Sequence, residues 1–234
     1  MYFPLRLVLL QSANKDNCAE TDMFTFWKEY WQLNRNTINN YFGDCDLFLI
    51  DAILKGYIQE GPLLDIGFGQ GRNLTYFLKQ GHPIIALEND QASIDFFSHF
   101  LNQMLTPNTL ELVKGEVQNL PFEEDQFQTT LCVRVLHFHN TVESIVKSCG
   151  EIIRVTQPGG TIYITLSSVL HSTDFAKQVD ETKVQFPDGS VRSALSENIM
   201  AAMQLDKTCE FIEPVKTIYH HGQHAESVLL LRKK

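Results

Sequence analysis

The stretch that decides the fold is Leu63-Leu64-Asp65-Ile66-Gly67-Phe68-Gly69-Gln70-Gly71-Arg72-Asn73. Its first residues are mostly apolar and predict a short buried strand, and three alternating glycines follow. Glycine accepts positive φ and lets a backbone approach a ligand without a Cβ in the way. A helix that begins after such a turn presents free N–H groups and the positive end of its dipole. The stretch therefore predicts a strand–loop–helix unit that binds a small ligand.

The spacing of the three glycines narrows the kind of ligand. The dinucleotide-binding pattern is G-x-G-x-x-G. In this chain the third glycine comes one position early, at Gly71, and Arg72 occupies the place that the dinucleotide pattern gives to glycine. The spacing therefore disfavours an NAD-dependent reductase, although this class of enzyme remains an alternative.

Two predicted helices precede this unit, and predicted strands and helices alternate from residue 63 onward. The predicted strands are 63–66, 84–87, 110–113, 128–133 and 161–166, and the predicted helices are 23–41, 47–58, 72–80, 91–105 and 142–155. Near-continuous apolar strands are typical of a parallel sheet that helices cover on both faces, which is the doubly wound α/β pattern. Residues 167–191 read as polar and irregular, and a helix at 194–203 and strands at 211–219 and 226–231 are predicted after them.

Composition limits the class of protein. Residues 1–22 are predicted to form a loose tail, without the features of a signal peptide, and residues 23–234 a single domain. The formal net charge of −9 argues against a nucleic-acid substrate, which needs a dense basic face. The five cysteines include no C-x-x-C pair, which favours a reducing, cytoplasmic location. No apolar run is long enough to span a bilayer, so no membrane insertion is expected.

Four landmarks in order resemble the class I S-adenosylmethionine (SAM)-dependent methyltransferases. The first is the glycine loop, and the second is the apolar strand that ends at Glu88. The third is Leu112-Val113-Lys114-Gly115-Glu116-Val117-Gln118-Asn119-Leu120-Pro121-Phe122, similar to the family's strand-G-D-A-x-x-L-P-F segment. The fourth, residues 153–164, resembles the R-V-L-K-P-G-G turn into the fifth strand. Weaker likenesses to tellurite-resistance-type, thiopurine-type and ubiquinone/menaquinone-biosynthesis methyltransferases do not extend across the acceptor region.

This resemblance implies a Rossmann-like, doubly wound sheet of seven strands with the last strand antiparallel, and N-terminal helices that cover the cofactor site. Within the domain it implies cap helices at 23–60, a SAM-binding core at 61–168, and acceptor-side loops with a strand pair at 169–234. The implied cofactor is SAM, with S-adenosylhomocysteine as product and no metal ion. The implied cofactor-binding residues are Asp65, Gly67, Phe68, Gly69, Gly71, Arg72, Glu88, Asn89, Glu116, Val117 and Arg134.

Each of these residues suits one part of SAM. Asp65 would bind the ammonium, directly or through water, beside the glycine loop. Glu88 is placed to accept bonds from both ribose hydroxyls. A carboxylate at this position can equally cap the following helix. Glu116 would accept from the adenine amino group, while the backbone of Val117 pairs with the ring.

Side chains for the acceptor side are harder to choose. His137 and His139 follow the fourth strand, where ligands of open α/β sheets bind, and imidazole titrates near neutral pH. Either is a candidate base or substrate contact, and packing is the alternative for both. Trp27, Tyr30 and Trp31 either shape the cofactor and acceptor site or form the core face of their helix. Three histidines, His220, His221 and His224, lie close together in the sequence. Because they have no Cys or carboxylate partner at ligand spacing, no metal site is predicted.

The sequence thus predicts a SAM-dependent methyltransferase that acts on a small molecule by in-line displacement, mainly through positioning. One alternative is an RNA- or protein-directed methyltransferase of the same fold. The other is a SAM-binding or scaffold protein that transfers nothing. The oligomeric state is left open.

Overall fold

The computed structural model describes residues 39–103, 110–170, 175–220 and 223–234. The chain divides into two units, Met1–Asn40 and Tyr41–Lys234, and only the second is treated below. The predicted tail, and with it Trp27, Tyr30 and Trp31, lies outside the described residues. The predicted domain boundaries therefore stay a prediction.

Helices and strands alternate through the described chain. The helices are α1 Leu47–Leu54, α2 Leu74–Gln80, α3 Gln91–Gln103, α4 Val142–Val155, α5 Glu197–Met203 and α6 Leu205–Thr208, with a short 3-10 turn at Leu136–Phe138. The strands are β1 Leu63–Ile66, β2 Ile84–Glu88, β3 Leu110–Lys114, β4 Phe127–Val133, β5 Thr156–Ser167, β6 Lys177–Gln178, β7 Lys183–Gln185, β8 Val191–Ser193, β9 Cys209–Phe211, β10 Lys216–His220 and β11 His224–Lys233.

Eight of these strands form one sheet with the order β10-β11-β5-β4-β1-β2-β3, and β9 pairs with β11 beside this path. The pairs from β5 through β4, β1 and β2 to β3 are all parallel. The last strand, β11, runs antiparallel to β5, β9 and β10. The prediction of a doubly wound, mostly parallel sheet with an antiparallel last strand is confirmed.

Each face of the sheet carries its own apolar core. On β1, Leu64 and Ile66 pack into the core that α4 and α5 cover, whereas Leu63 packs into the core that α1, α2 and α3 cover. Alternate side chains of a strand point to opposite faces, so a strand that is buried on both faces needs apolar residues at successive positions. This explains why β1 and β4 read as continuous apolar runs.

Local signals set where the helices begin and end. The carboxylate of Asp46 accepts bonds from the backbone N–H groups of Phe48 and Leu49 and so caps α1. Gly81 ends α2 in the left-handed conformation that glycine adopts most readily. Thr141 and Ser144 bond reciprocally at the start of α4.

Several predicted boundaries are wrong. The helix predicted at 47–58 ends at Leu54, and the one predicted at 72–80 begins only at Leu74. The predicted strand 211–219 is two strands, because the chain bends between Phe211 and Lys216, where Pro214 offers no N–H to a sheet. As a result β9 adds an eighth strand to the seven that were predicted.

The region predicted to be irregular is partly ordered as a second sheet. Strands β6, β7 and β8 form a small antiparallel sheet, of which β6 and β7 lie within the predicted irregular stretch and β8 begins at its last residue. The following helix starts at Glu197, after its cap Ser196, rather than at residue 194. Strands this short carry too few residues for a periodic pattern, so they escape a prediction from the sequence.

In the described parts of the chain, no helix is both long enough and apolar enough to cross a membrane.

Candidate functional site

A cavity of about 660 Å³ opens at the carboxyl ends of β1, β2, β3 and β4. This is the edge at which open parallel sheets bind ligands. Residues that follow each of the four strands line it. They are Ile66, Gly67, Gly69, Leu87, Glu88, Asn89, Gly115, Glu116, Val117, Gln118, Arg134, Val135, Phe138, His139, Asn140, Thr141 and Ser144.

Glycine is required at the three positions of the loop after β1 for different structural reasons. All three have positive φ, at 69°, 55° and 74°. A Cβ on Gly67 would lie 2.3 Å from the Val135 side chain, and one on Gly71 would lie 2.2 Å from the ring of Phe97. A Cβ on Gly69 would meet no atom within 4 Å, and Gly69 lines the cavity. Packing therefore requires Gly67 and Gly71, whereas Gly69 keeps backbone exposed to the cavity.

Glu88 joins the glycine loop to the end of β2. One carboxylate oxygen accepts a bond from the N–H of Gly69 at 3.0 Å, and the other accepts from Asn89 at 2.8 Å and Asp90 at 3.2 Å. The oxygen that accepts from Gly69 retains a lone pair for a ligand, whereas the other oxygen already accepts two bonds. Both predicted roles of this carboxylate, ligand binding and capping of the backbone, are compatible with this position on the cavity wall.

Asp65 lies beneath the loop and is buried. Its Oδ2 atom has no hydrogen-bond partner among the described residues. Burial raises the pKa of its carboxyl group to about 7, and the charge of Glu88 adds to this, while Arg72 opposes it. A buried carboxylate oxygen without a partner fits a site that a cationic or N–H-bearing ligand completes.

Four predicted cofactor residues do not line this cavity: Asp65 and Gly71, described above, and Phe68 and Arg72. Phe68 is buried and packs on Phe97 with ring centroids 5.2 Å apart. Arg72 points its Nη2 atom toward Asp46, with 3.6 Å between Nη2 and Oδ2. Both side chains support the loop from outside the cavity instead of lining it.

Residues that follow β3 form another part of the cavity wall. Glu116 and Val117 both line the cavity, as does Gln118, which was not predicted from the sequence. The carbonyl of Glu116 accepts a bond from Asn119 at 3.0 Å, which closes a tight turn. Val117 is buried and presents an apolar wall.

Arg134 stands at the end of β4 in an unusual backbone conformation. Its φ is 61°, which is rare for a residue other than glycine and is found most often at functional sites. Its guanidinium binds the Glu226 carboxylate through Nε at 3.1 Å and Nη2 at 2.9 Å. Sequence analysis placed Arg134 at the site but gave no sign of its partner on β11.

The two histidines after β4 differ in position. His137 is buried, with its Nδ1 atom 3.4 Å from the Ser167 hydroxyl, and it does not line the cavity. Burial and the positive charges of Arg192 and Arg134 lower the pKa of His137 to about 4, although Glu226 opposes them. His137 is therefore neutral at physiological pH.

His139 lines the cavity. Its Nε2 atom lies 2.7 Å from the Ser148 hydroxyl, which itself donates to the carbonyl of Ser144 at 2.9 Å. Because that hydroxyl has only one proton, Nε2–H is the donor and Nδ1 is left as an acceptor. Burial lowers the pKa of His139, and Glu116 opposes the shift.

Sequence reasoning missed the ring of Phe138. Phe138 lies between His137 and His139 in the sequence. Its side chain is 75% exposed and lines the cavity. An exposed aromatic ring at a cavity wall offers a flat apolar face to a ligand. Asn140, Thr141 and Ser144 were also missed, because in sequence they read as the start of α4. An apolar residue between polar ones just after a buried strand was the available signal for Phe138.

No group of three or more His, Cys, Asp or Glu side chains in the described ranges is placed to hold a metal ion.

The sheet order, the glycine loop and the carboxylate at the end of β2 define a class of protein. Residues 64–164 match the model of a family described as a methyltransferase domain. By this match, residues 64–164, which make up less than half of the chain, are similar to a methyltransferase domain.

Individual relatives extend the comparison. The chain is 30% identical over 114 residues to a sterol 24-C-methyltransferase of Kluyveromyces lactis, which covers 47% of this chain and 29% of the relative. It is 25% identical over 124 residues to a tRNA (carboxymethyluridine(34)-5-O)-methyltransferase of Arabidopsis thaliana, which covers 50% of this chain and 26% of the relative. The chain thus spans less than a third of the length of either relative.

Solved structures agree on the fold. The 1,6-didemethyltoxoflavin-N1-methyltransferase of Burkholderia thailandensis, solved with S-adenosylhomocysteine, superposes with a TM-score of 0.60. The match covers 90% of this chain and 86% of that enzyme, at 16% sequence identity. At this identity the likeness establishes the fold alone.

Proposed function

We propose that this protein transfers a methyl group from SAM to a small-molecule acceptor. The observation that carries the proposal is the cavity at the ends of β1 to β4, which is lined by Gly69, Glu88 and Glu116, three of the residues that the sequence predicts to bind SAM. The strands and the loop that carry them fall within residues 64–164, the part of the chain that matches the methyltransferase domain.

Each part of SAM has a suitable partner in and beneath this cavity. The unpartnered Oδ2 atom of Asp65 fits the ammonium, through a bridging water, and Gly67 and Gly69 give the methionine portion close access to the backbone. Glu88 and Asn89 would hold the ribose. On the β3 side, Glu116 and Val117 would hold the adenine.

We add Phe138 to this set, because its exposed ring on the cavity wall fits stacking on the adenine. The predicted residues Phe68, Gly71 and Arg72 would then act indirectly, by holding the loop in shape. Arg134 would stand between the donor and the acceptor.

The chemistry asks mainly for alignment. Bound SAM supplies a methyl carbon that its sulfonium group activates. A lone pair of the acceptor forms the new bond to this carbon as the bond from sulfur to carbon breaks, and an O–H or N–H acceptor loses its proton to water or a base. The protein holds the two reacting atoms in line and keeps water out.

If a base is used, the geometry favours His139 over His137. His139 lines the cavity and has Nδ1 as its acceptor atom, whereas His137 is buried beside Ser167. We therefore propose His139 as a ligand contact and assign His137 to packing.

A cytoplasmic location is part of the proposal. It rests on the cysteines, because Cys45, Cys132, Cys149 and Cys209 are buried and free of disulfide bonds.

Isothermal calorimetry against SAM, S-adenosylhomocysteine and NADH tests the cofactor, and transfer of a labelled methyl group from SAM to extracted metabolites tests the activity. We expect micromolar binding of the first two ligands, none of NADH, and label in a small-molecule fraction. Binding without transfer to any fraction would favour a SAM-binding scaffold. Absence of binding would overturn the proposal.

One comparison favours a second candidate, an RNA-directed methyltransferase, because a tRNA methyltransferase is among the relatives. The net charge of −9 opposes it. Label that appears in RNA in the same transfer assay would decide for this candidate.

A further inference from the structure

A second cavity, of about 300 Å³, adjoins the candidate SAM site at Arg134, which lines both. It is formed by the start of α1, by Arg72 of the glycine loop, and by the β10–β11 hairpin. Its volume lies at the lower end of the range of roughly 300–1,000 Å³ that is typical of small-molecule sites. No role described so far uses this cavity.

The charges that line the second cavity are balanced. Arg134 is paired with Glu226 through two nitrogens, and Arg72 faces Asp46 with 3.6 Å between Nη2 and Oδ2. A charged occupant would add an unpaired charge to a half-buried site, which is costly. The balance of charges favours an uncharged occupant.

The rest of the wall is largely apolar. Leu47 and Phe48 of α1 line it together with Ile218 and Val228 of the hairpin. Such walls favour an occupant whose body is apolar, since its burial removes apolar surface from water.

One polar atom of a residue that lines this cavity lacks a hydrogen-bond partner, although it faces the charge of Asp46. The Nη2 atom of Arg72 is buried and makes no hydrogen bond within the described part of the chain. An oxygen or nitrogen acceptor on the occupant would supply that bond. His220, which also lines the cavity, offers a second hydrogen-bonding group.

We propose that this second cavity is the methyl-acceptor subsite, and that it takes a small, uncharged molecule with an apolar body and at least one hydrogen-bond acceptor. The inference rests on the proposed methyl transfer and names its substrate class. Arg134, as the residue common to both cavities, marks the side on which donor and acceptor meet.

Two leucines of α1 provide a matched test. Leu47 lines the second cavity and is 71% exposed, whereas Leu54 is 73% exposed and lies outside it. Tryptophan at Leu47 would narrow the cavity, and Leu54→Trp makes the same change on the same helix elsewhere. Neither side chain is buried, so both variants are expected to fold.

The probes are phenol, p-cresol and indole-3-carboxamide as uncharged molecules that carry a hydrogen-bond acceptor, 4-hydroxybenzoate and indole-3-carboxylate as anions, and tyramine as a cation. Binding to the full chain saturated with S-adenosylhomocysteine is followed by ligand-observed NMR. We expect saturable binding of uncharged probes, at least tenfold weaker binding in Leu47→Trp, and unchanged binding in Leu54→Trp. Affinity for S-adenosylhomocysteine should be the same in all three proteins.

Three results would overturn the inference: tighter binding of the charged probes, equal loss in both variants, or no binding of any probe to the loaded protein. Failure of the proposed function looks different. In that case the wild-type protein would not bind S-adenosylhomocysteine at all, which is measured before any probe is added.

Discussion

At the scale of single residues, the site depends on backbone and carboxylate positions that few side chains can replace. Gly69 is the clearest case, since it has positive φ and open space beside it on the cavity wall. Gly67 and Gly71, by contrast, are held by the packing of Val135 and Phe97. Three glycines that look equivalent in sequence therefore have two different physical reasons.

A pair of alanine substitutions separates conformational strain from ligand binding. Gly69 and Gly81 both have positive φ, and a Cβ on either meets no atom within 4 Å, but only Gly69 lines the cavity. We expect Gly69→Ala and Gly81→Ala each to lower the free energy of unfolding by about 1–2 kcal/mol. Only Gly69→Ala should also weaken S-adenosylhomocysteine binding in calorimetry. Equal affinities in the two variants would remove Gly69 from the ligand site.

Asp65 makes stability depend on pH. Its pKa is about 7 in the folded protein and roughly 3.9 in an unfolded chain. Because folding favours the protonated form, this contribution to stability is fully present below about pH 4 and is lost as pH rises through 7. Asp65→Asn cannot titrate, so urea unfolding between pH 4 and 8 should show a smaller fall in stability than in the wild-type protein. The same slope in both proteins would contradict the raised pKa.

The role proposed for Asp65 adds a ligand effect. An ammonium group at Oδ2 favours the ionised carboxylate, so SAM binding near pH 6 should release a proton. Calorimetry in buffers of different ionisation enthalpy measures this release. It should disappear with Asp65→Asn and with 5′-methylthioadenosine, which lacks the amino-acid end. Equal release with and without that end would argue against the contact.

Glu88 is the residue proposed to bind the ribose. We expect Glu88→Ala to weaken SAM binding by about 1–3 kcal/mol, the cost of losing charge-assisted hydrogen bonds. The control is Glu111→Ala, an exposed carboxylate on the neighbouring strand β3 that does not line the cavity. If Glu88→Ala lowered only the melting temperature and left affinity unchanged in calorimetry, its role would be to cap the backbone.

At the scale of elements, the small sheet β6–β8 holds the loop that follows β4. Ser193 donates its hydroxyl to the carbonyl of His139 at 2.6 Å, and Thr182 donates to that of Asn140 at 3.1 Å. His139 and Asn140 both line the candidate SAM cavity. A segment that looks irregular in sequence thus positions one wall of the site.

Removing one of these bonds tests the coupling. Ser193→Ala leaves a carbonyl of the loop without its partner, so we expect about 1 kcal/mol less stability and severalfold weaker S-adenosylhomocysteine binding. Ser190→Ala is the control, because Ser190 lies in the same segment and, among the described residues, its hydroxyl bonds only to Asp188. Chemical denaturation and calorimetry measure the two effects. Full affinity in Ser193→Ala would mean that the small sheet does not position the loop.

At the scale of the whole molecule, net charge selects among acceptors. With a formal net charge of −9, the protein should repel a polyanion unless its positive charges are concentrated in one place. In filter binding at 150 mM salt, we expect no saturable retention of tRNA at protein concentrations up to about 100 µM, the weak end of non-specific binding. Micromolar binding that weakens steeply with added salt would favour the RNA-directed alternative.

Sheet topology also brings distant parts of the chain together. The pair of Arg134 and Glu226 joins residues 92 positions apart and links the end of β4 to the last strand. Arg134 and Glu226 both line the second cavity, whose other walls come from the start of α1 and from the final hairpin. Such a site exists only once the antiparallel strand β11 has docked on β5.

Local patterns in the sequence were sufficient to predict the fold class and several residues that line the candidate SAM cavity. Periodicity, glycine spacing and a carboxylate at a strand end are local signals, and parallel strands necessarily gather their carboxyl ends at one edge. This is why Gly69, Glu88 and Glu116 were predicted together and lie on one cavity. Boundaries such as the start of α2 failed because turns and caps compete with helix propensity over one or two residues.

Other features of the candidate site could be seen only in the folded chain. The unpartnered oxygen of Asp65, the separation of His137 from His139, the support from β6–β8 and the cavity beside Arg134 all depend on which surfaces pack together. Packing between segments far apart in the chain is set by the shape and register of the assembled sheet. No spacing within a single segment records this packing, so the second cavity became visible only in the folded protein.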